Sequence, residues 1–237
     1  RDVDGAITVP EVGIGSGFTV VLKEDGTVWT SGKNNVGQLG GGDTTDRNIP
    51  VQVKIDEDTY LKNIRKISVG YSHSVALTTD GKVYTWGNNW AGRLGQGDTE
   101  NRSYAVQMKG INGQGYIEDI IDIVAGDYST YVLKENGDTY GVGYNKWGQI
   151  DDTTTDTYYP KIAKAFDEAI TLAAGYSNGG VLKSNGEAWI RGHNIYGVFG
   201  NNTTASVGGI YKVGPDINEF KLQGYHGAIL KEDGTVW

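Results

Sequence analysis

The residues best placed to bind a ligand form the glycine-rich loop Gly-Asn-Asn-Trp-Ala-Gly-Arg-Leu-Gly-Gln-Gly-Asp at residues 87–98. Such a loop cradles phosphate when a helix begins directly after it and a Lys-Ser or Lys-Thr pair completes the motif. The sequence shows neither feature, and a similar loop recurs at residues 32–43. We therefore expect the glycines to permit tight turns and the asparagines to bond loop backbone, and we predict no cofactor.

Two acidic loops raise the question of calcium, which takes six to eight oxygen ligands from a compact segment. The acidic residues around Asp43 and Asp98 do not match the twelve-residue calcium loop with its terminal glutamate. An arginine follows each aspartate four positions later, at Arg47 and Arg102. The sequence therefore predicts a local ion pair in each loop and no metal site.

The sequence contains no recognisable arrangement of catalytic nucleophiles and bases. The histidines His73, His193 and His226 belong to no Ser-His-Asp or His-x-x-x-His arrangement. No spacing of carboxylates singles out an acid–base pair. We expect His73 to be packed and hydrogen-bonded, and we predict no catalytic residue and no enzymatic activity.

The composition argues against several classes of partner. A net charge of −8 disfavours nucleic acid, whose phosphates require clustered lysine and arginine. No apolar run is long enough to span a membrane. Cysteine is absent, which excludes disulfides and thiolate zinc sites. The only methionine is Met108, so Arg1 is not expected to be a native start, and we predict a processed protein or a fragment.

The loops belong to a tandem repeat of about fifty residues. Each copy holds a strand ending in leucine, an Asp-Gly or Asn-Gly turn and an aromatic residue three positions later. These dipeptides between apolar runs predict tight hairpins, here with type I′ turns. The turn dipeptides begin at Asp25, Asp80, Asn136, Asn185 and Asp233.

Each repeat contains the elements of a small antiparallel sheet: strand, turn, strand, glycine-rich loop and a further strand. The alternation over Ser74, Val75, Ala76 and Leu77 predicts a half-buried strand. Only residues 159–170 suggest one or two helical turns. About four strands in about fifty residues is typical of a propeller blade, so we predict an all-β β-propeller.

Two stretches carry a family resemblance: "IGSGFTVVLKEDGTVWTSGKNNVGQLGGGDTTDRNIPVQV" and "ISVGYSHSVALTTDGKVYTWGNNWAGRLGQGDTENRSYAVQM". They resemble repeats of the regulator-of-chromosome-condensation family, which join Gly-x-x-His-Ser-x-Ala-Leu to a Trp-Gly strand end and a Gly-Gln-Leu-Gly-x-Gly-Asp loop. The resemblance covers residues 14–237 and weakens along the chain, for example at Asp151, where earlier copies have glycine. It implies four full four-stranded blades and a partial fifth, within a ring usually of seven, in an incomplete, bacterial-like member.

The repeat predicts a lead-in segment at residues 1–13 and a single propeller domain at residues 14–237. Its units span residues 14–66, 67–122, 123–171, 172–219 and, in part, 220–237.

Aromatic residues supply the candidate contacts. Those that recur in register are predicted to form the core between blades: Trp29, Tyr84, Tyr140, Trp189 and Trp237. By resemblance, Trp147 and Tyr196 are expected to be structural, whereas Trp90 is out of register. We predict an interaction surface because tyrosine and tryptophan dominate interface hot spots. Its candidate residues are Trp90, Tyr71, Asp127, Tyr128, Tyr176, Tyr225 and His226.

The resemblance and the composition together imply a non-enzymatic protein-interaction module, secreted or attached to the surface of a bacterium. Its acidic character favours a basic or mixed-charge protein partner. The alternatives are a guanine-nucleotide exchange factor for a small GTPase, an inhibitor of a secreted enzyme, and a carbohydrate-binding module whose exposed aromatics stack on a glycan.

Overall fold

The computed structural model describes residues 8–162, 166–205 and 210–237, which form antiparallel sheets in sequence order. Blades 1 and 2 contain β1 (Glu11–Ile14), β2 (Phe18–Leu22), β3 (Val28–Gly32), β4 (Arg47–Gln52), β5 (Ile64–Val69), β6 (His73–Thr78), β7 (Val83–Gly87) and β8 (Arg102–Gln107). Blades 3 to 5 contain β9 (Ile120–Ala125), β10 (Ser129–Lys134), β11 (Thr139–Gly143), β12 (Thr157–Ile162), β13 (Ala169–Ala174), β14 (Asn178–Lys183), β15 (Ala188–Gly192), β16 (Ile210–Gly214), β17 (Ile217–Gln223) and β18 (His226–Lys231). Two short 3-10 helices lie at Trp90–Gly92 and Ile111–Gly113.

The sheets are blades of a β-propeller. Blades 1 to 4 each form a four-stranded antiparallel meander, and blade 5 is a pair, β17 with β18. The first strands β1, β5, β9, β13 and β17 contact one another in succession, so they line the axis. The predicted all-β propeller with four full units and a partial fifth is therefore confirmed. Within the described ranges, no helix is long and apolar enough to cross a membrane.

The meander gives the propeller two ends with different connections. We call the end with the tight turns between second and third strands the turn end; it also holds the links between blades. The opposite end, which we call the loop end, holds the short first-to-second connections and the long glycine-rich loops. Residues separated by about one blade in sequence therefore meet side by side at one end.

The tight turns differ from the predicted type I′ hairpins. In the first, the N–H groups of Lys23 and Gly26 donate to the carbonyls of Thr27 and Lys23, respectively. Only the glycine has a positive φ, 74° at Gly26, while Asp25 does not. This arrangement is a type I turn followed by a left-handed glycine, the usual three-residue hairpin loop. The Asp25 side-chain carboxylate accepts a hydrogen bond from the Thr27 N–H, and this bond stabilises the turn.

The second strands are more deeply buried than the alternating pattern predicted. Every residue of β6 is buried, including Ser74 and Ala76, which the pattern placed on an exposed face. The reason is that neighbouring blades cover both faces of this strand. Four apolar clusters result, one at each successive contact between blades.

The in-register aromatics form the predicted core between blades only in part: Tyr140 belongs to it and Tyr84 and Trp189 pack against it, whereas Trp29 and Trp237 do not. Only Tyr140 is buried; Trp29, Tyr84 and Trp189 are half-buried, and Trp237 is 72% exposed. They follow the tight turns, where the blade surface meets solvent. The fully buried indole is that of Trp86, two positions further along, and its Nε1 donates to the Gln38 carbonyl of blade 1 at 3.0 Å.

The first strands begin three residues before the predicted unit boundaries, at Glu11, Ile64, Ile120, Ala169 and Ile217. A β-bulge lies near the start of β5, β9, β13 and β17. Because a bulge interrupts the alternation of inward and outward side chains, a period-2 pattern does not include the first residues of these strands. The first seven residues of the predicted lead-in lie outside the described residues. The helical turns expected at residues 159–170 are wrong for the described part of that range. Residues 159–162 belong to β12, residues 169–170 belong to β13, and residues 166–168 are not helical. Residues 163–165 lie outside the described residues.

Glycines allow neighbouring blades to approach closely at the loop end. A Cβ on Gly126 would lie 2.6 Å from the Gly175 carbonyl oxygen of the next blade. Across the same contact, the Asp127 N–H donates to that carbonyl at 3.1 Å. Only glycine leaves room for this backbone approach, which explains why it precedes each first-to-second connection.

Candidate interaction surface

The glycine-rich loops are closed internally by a buried asparagine. In blade 2 the Asn89 side-chain amide donates to the Asp98 carbonyl at 3.0 Å, and its oxygen accepts from the Leu94 N–H at 2.9 Å. Asn34, Asn145 and Asn194 make equivalent bonds in the other blades. The predicted role of these asparagines in bonding loop backbone is confirmed, and the loops present a fixed outer surface.

The predicted ion pairs in the acidic loops are also present. Arg47 reaches Asp43 at 2.5 Å, and Arg102 reaches Asp98 at 2.7 Å. Both aspartates also accept bonds from loop N–H groups. Within the described ranges, no group of three or more His, Cys, Asp or Glu residues is arranged to hold a metal ion.

Seven aromatic rings from blades 2 to 5 form a continuous row across the loop end, which we call the aromatic ladder. Its members are Tyr71, Trp90, Tyr128, Tyr144, Tyr176, Tyr196 and Tyr225. Tyr71, Tyr128, Tyr176 and Tyr225 come from the first-to-second connections near the axis. The other three come from the long loops further out.

Ring contacts join the ladder from blade to blade. Tyr128 sits at its centre, with its ring centroid 6.1 Å from Tyr71 and 4.9 Å from Tyr176, the latter edge to face. Tyr176 stacks on Tyr225 at 4.5 Å, and Tyr225 meets Tyr196 edge to face at 4.9 Å. Such offset and edge-to-face pairs are the favoured arrangements of aromatic rings. The rings therefore support one another across the blade boundaries.

Trp90 extends the row outward at blade 2. Its indole stacks on Tyr144 at 5.4 Å and meets Tyr128 edge to face at 5.5 Å, yet 52% of the residue is exposed. The aromatic pairs hold Trp90 at the surface instead of in the core.

Arg93 is the cation beneath the ladder. It is only 1% exposed, and its guanidinium lies 4.8 Å from the Tyr128 ring and 5.5 Å from the Trp90 ring. Its Nε donates to the Trp90 carbonyl and its Nη1 to the Asp127 carbonyl, both at 2.9 Å. Burial lowers the pKa of Arg93 to about 10, so it stays charged at neutral pH. Arg93 thus ties a blade 2 loop to a blade 3 connection through both backbone and rings.

Hydrogen bonds between blades fix the backbone under the ladder. The Ser16 N–H of blade 1 donates to the Tyr71 carbonyl, and the Tyr176 N–H of blade 4 donates to the Gly224 carbonyl of blade 5, each at 2.8 Å. The rings therefore stand on connections that are bonded across blade boundaries.

Two tyrosines of the ladder have raised pKa values. Burial, followed by the Tyr176 hydroxyl, raises the pKa of Tyr128 to about 12. The same two causes raise the pKa of Tyr225 to about 12. Tyr128 and Tyr225 therefore present neutral hydroxyl groups at physiological pH.

The structure places all seven predicted contact residues at the loop end. Tyr71, Trp90, Tyr128, Tyr176 and Tyr225 join the ladder. Asp127 is half-buried and, with Tyr71, lines the concavity at the axis; burial raises the pKa of its carboxyl, and Arg93 partly opposes this. His226 is exposed at the start of β18, directly after Tyr225. Their use by a partner remains a prediction.

Sequence reasoning missed three residues of this surface. Tyr196, expected to be structural, is 69% exposed and belongs to the ladder. Tyr144 directly follows a strand-ending glycine, where the other repeats have Lys33, Asn88 and His193, so no repeated aromatic marked it. Arg93 could have been found from the sequence, because it is the only cation at this position of the repeat. The equivalent residues are Gln38, Gln149 and Val198.

The histidines contribute packing. His73 is fully buried, and its Nε2 lies 3.0 Å from Thr130 Oγ1, as its predicted packed and hydrogen-bonded role requires. Burial, and to a lesser degree Arg93, holds the pKa of His73 well below its ordinary value. His193 is half-buried and stacks on Trp147 at 3.9 Å, so Trp147 is partly packed although 40% of it is exposed.

The meanders around a common axis define a β-propeller, and comparisons with known proteins show the type of its repeats. Two family models for the regulator of chromosome condensation (RCC1) repeat match, one at residues 25–77 and one at residues 11–38 and 64–96. The chain therefore contains repeats of the RCC1 type.

Curated relatives agree with this assignment. The chain is 36% identical over 143 residues to the E3 ubiquitin-protein ligase HERC2 of Homo sapiens, covering 60% of this chain and 3% of HERC2. It is 31% identical over 144 residues to the ultraviolet-B receptor UVR8 of Arabidopsis thaliana, covering 61% of this chain and 31% of the receptor. The matched region is thus less than a third of either relative.

Solved structures share the fold. Human WBSCR16 superposes with a TM-score of 0.80 at 17% identity, covering 98% of this chain and 59% of that one. Prp20p of Saccharomyces cerevisiae superposes with a TM-score of 0.72 at 20% identity, covering 90% of this chain and 53% of that one.

Proposed function

We infer that this chain is a non-enzymatic protein-interaction module whose loop end binds a protein partner through the aromatic ladder. The observation that carries the proposal is the ladder itself: seven linked rings from four blades at one end of the propeller, four of them exposed and three half-buried. Exposed apolar patches on a folded domain mark interaction sites, and tyrosine and tryptophan lose little conformational entropy on binding.

Relatives of the fold support this use of a propeller. The Prp20p structure was reported together with its binding to Gsp1p and histones, and a further structure shows yeast RCC1 (Prp20) bound by Kap60. The ligase activity in the name of HERC2 does not transfer, because the match covers only 3% of that protein.

The residues at the loop end also suit binding better than catalysis. Arg93 is engaged by two carbonyls and two rings, and His73 is buried against Thr130. Neither is free to exchange a proton with a bound substrate. The proposed module works by presenting a preformed surface, which reduces the entropic cost of association.

We test the proposal by photocross-linking from the two ends of the propeller. Benzoylphenylalanine replaces Tyr71 or Tyr225 in the ladder, and Tyr60 or Tyr116 at the turn end as a matched control. The control tyrosines are comparably exposed, at 43% and 51%. The chain is expressed in its source organism and irradiated, and the protein cross-linked to it is identified. That partner protein is then purified by itself for calorimetry with the chain.

The expected result is one dominant protein adduct from both ladder positions and none from the turn end. Combined Tyr71→Ala and Trp90→Ala substitutions should weaken binding of that purified protein at least tenfold, while Tyr60→Ala with Tyr116→Ala should not. Adducts that form equally at both ends, or calorimetric binding insensitive to the ladder substitutions, would refute the proposal.

For location, the proposal is a secreted or surface-attached bacterial protein. The absence of cysteine and the net charge of −8 support it, since an acidic surface resists non-specific adhesion. Labelling of intact cells with a membrane-impermeant amine reagent tests it, with a known cytoplasmic protein as control. Labelling of the chain only after lysis would contradict it.

A further inference from the structure

Five aromatic rings at the turn end are covered by the protein's own lysines, whereas Tyr84 and Tyr140 have no cation of the described residues over them. In each of five cases a lysine Nζ lies over a ring face, at 4.1 to 5.6 Å from the ring centroid. The pairs are Lys23 with Trp29, Lys54 with Tyr60, Lys109 with Tyr116, Lys183 with Trp189, and Lys231 with Trp237. A cation within about 6 Å of a ring face is attracted by the negative charge of the π cloud.

The ladder differs sharply. At its blade 2 end, Arg93 covers Trp90 and Tyr128 from beneath. Of the lysines and arginines in the described ranges, none lies over Tyr71, Tyr176, Tyr196 or Tyr225. Four rings of the ladder thus lack a cation of the kind that covers five rings at the turn end.

We propose that arginine or lysine side chains of an extended basic segment in the protein partner bind against these four rings, which have no cation of their own among the described residues. This inference rests on the proposed function and names the chemistry that the ladder recognises. Arg93 shows that a guanidinium fits against a neighbouring ring of the ladder, since its own lies 4.8 Å from the Tyr128 ring.

Charge complementarity supports a basic partner over a neutral one. The chain carries a net charge of −8, which attracts a basic segment over a distance and accelerates its encounter. Asp127 and Tyr71 both line the axial concavity, so a carboxyl group lies at the same end of the propeller as these rings. A single cation over an exposed ring contributes only a small part of a useful affinity, so several in one segment are needed.

The inference is tested with the peptide (Gly-Ser-Arg)₄ and its counterpart in which citrulline replaces every arginine. Citrulline keeps the shape of arginine and removes the charge. Binding to the whole chain is measured by calorimetry at low and high salt. The arginine peptide should bind at least tenfold more tightly at low salt, and the difference should shrink at high salt.

Variants then assign the binding to ring faces. Tyr176→Leu and Tyr225→Leu should each weaken binding of the arginine peptide about threefold to tenfold, whereas Tyr225→Phe, which keeps the ring, should bind as wild type does. Tyr116→Leu at the turn end is the matched control and should have no effect. Thermal unfolding of each variant verifies that the fold is intact.

Equal binding of the citrulline peptide, or equal loss with Tyr116→Leu, would overturn the inference. So would ladder-dependent binding of a proline-rich peptide or a chitin oligosaccharide in preference to the arginine peptide. These results would leave the interaction surface itself standing. That broader proposal fails separately, if the photocross-links map to the turn end.

Discussion

The two ends of this propeller use the same residue types in opposite ways. At the turn end, Trp29 follows a tight turn, and Lys23 from the same turn lies over its face. At the loop end, Tyr176 and Tyr225 stack on each other across a blade boundary. An aromatic paired with a lysine of its own blade is satisfied locally, whereas an aromatic paired with the next blade exists only as part of an assembled surface.

This difference follows from the meander. Turn-end residues such as Lys54 and Tyr60 are close in sequence, so local pairing is easy. Loop-end rings such as Tyr128 and Tyr176 come from separate repeats and meet only when blades pack. A surface built between repeats can vary from blade to blade while the repeat itself remains constant, which suits recognition.

The largest expected effect concerns the loop that supports the ladder. Asn89→Ala should lower the free energy of unfolding by about 2–4 kcal/mol, because it leaves the Leu94 N–H and the Asp98 carbonyl without their partner. Urea unfolding measures it. Lys146→Ala, at an exposed position of the equivalent loop in blade 3, should change stability by less than about 0.5 kcal/mol. Equal losses would mean that the loops at this end are not held by the buried amide.

A smaller effect is expected from the cation beneath the ladder. Arg93→Met should lower the free energy of unfolding by about 1–3 kcal/mol, since the Trp90 and Asp127 carbonyls lose their donor. The contribution of Trp90 to the near-ultraviolet circular dichroism should weaken, because its indole loses contact with the Arg93 guanidinium. Arg93→Gln keeps one donor and should have about half the effect. An unchanged spectrum and stability would show that aromatic pairing alone orders this end.

The smallest expected effect is an alkaline titration of the ladder. With pKa values raised to about 12, Tyr128 and Tyr225 should ionise above the ordinary value near 10, as followed by absorbance at 295 nm. The folded state favours the neutral phenol, so this stabilising contribution is complete below pH 10 and is lost as the pH rises towards 12. Tyr176→Phe removes the neighbouring hydroxyl and should lower both pKa values. If Tyr60→Phe lowered them equally, the shift would not belong to the ladder.

The repeat in the sequence was sufficient to predict the number and strand content of the blades. Glycine, leucine and asparagine recur because each blade needs the same turn and the same loop clamp, and Asn89 was read correctly from its spacing. The turn type was read incorrectly, because Asp-Gly is compatible with both a type I′ turn and a type I turn followed by glycine.

The sequence by itself determined that this chain folds into repeated four-stranded blades, since local turn chemistry and strand length are encoded within each repeat. The tertiary structure alone decided which aromatics are buried and which form the ladder. Trp86 is buried and Tyr196 is exposed because of how neighbouring blades pack, and no spacing within one repeat contains that information. The physical reason is that contacts between blades join residues about fifty positions apart, where the geometry depends on the whole assembly.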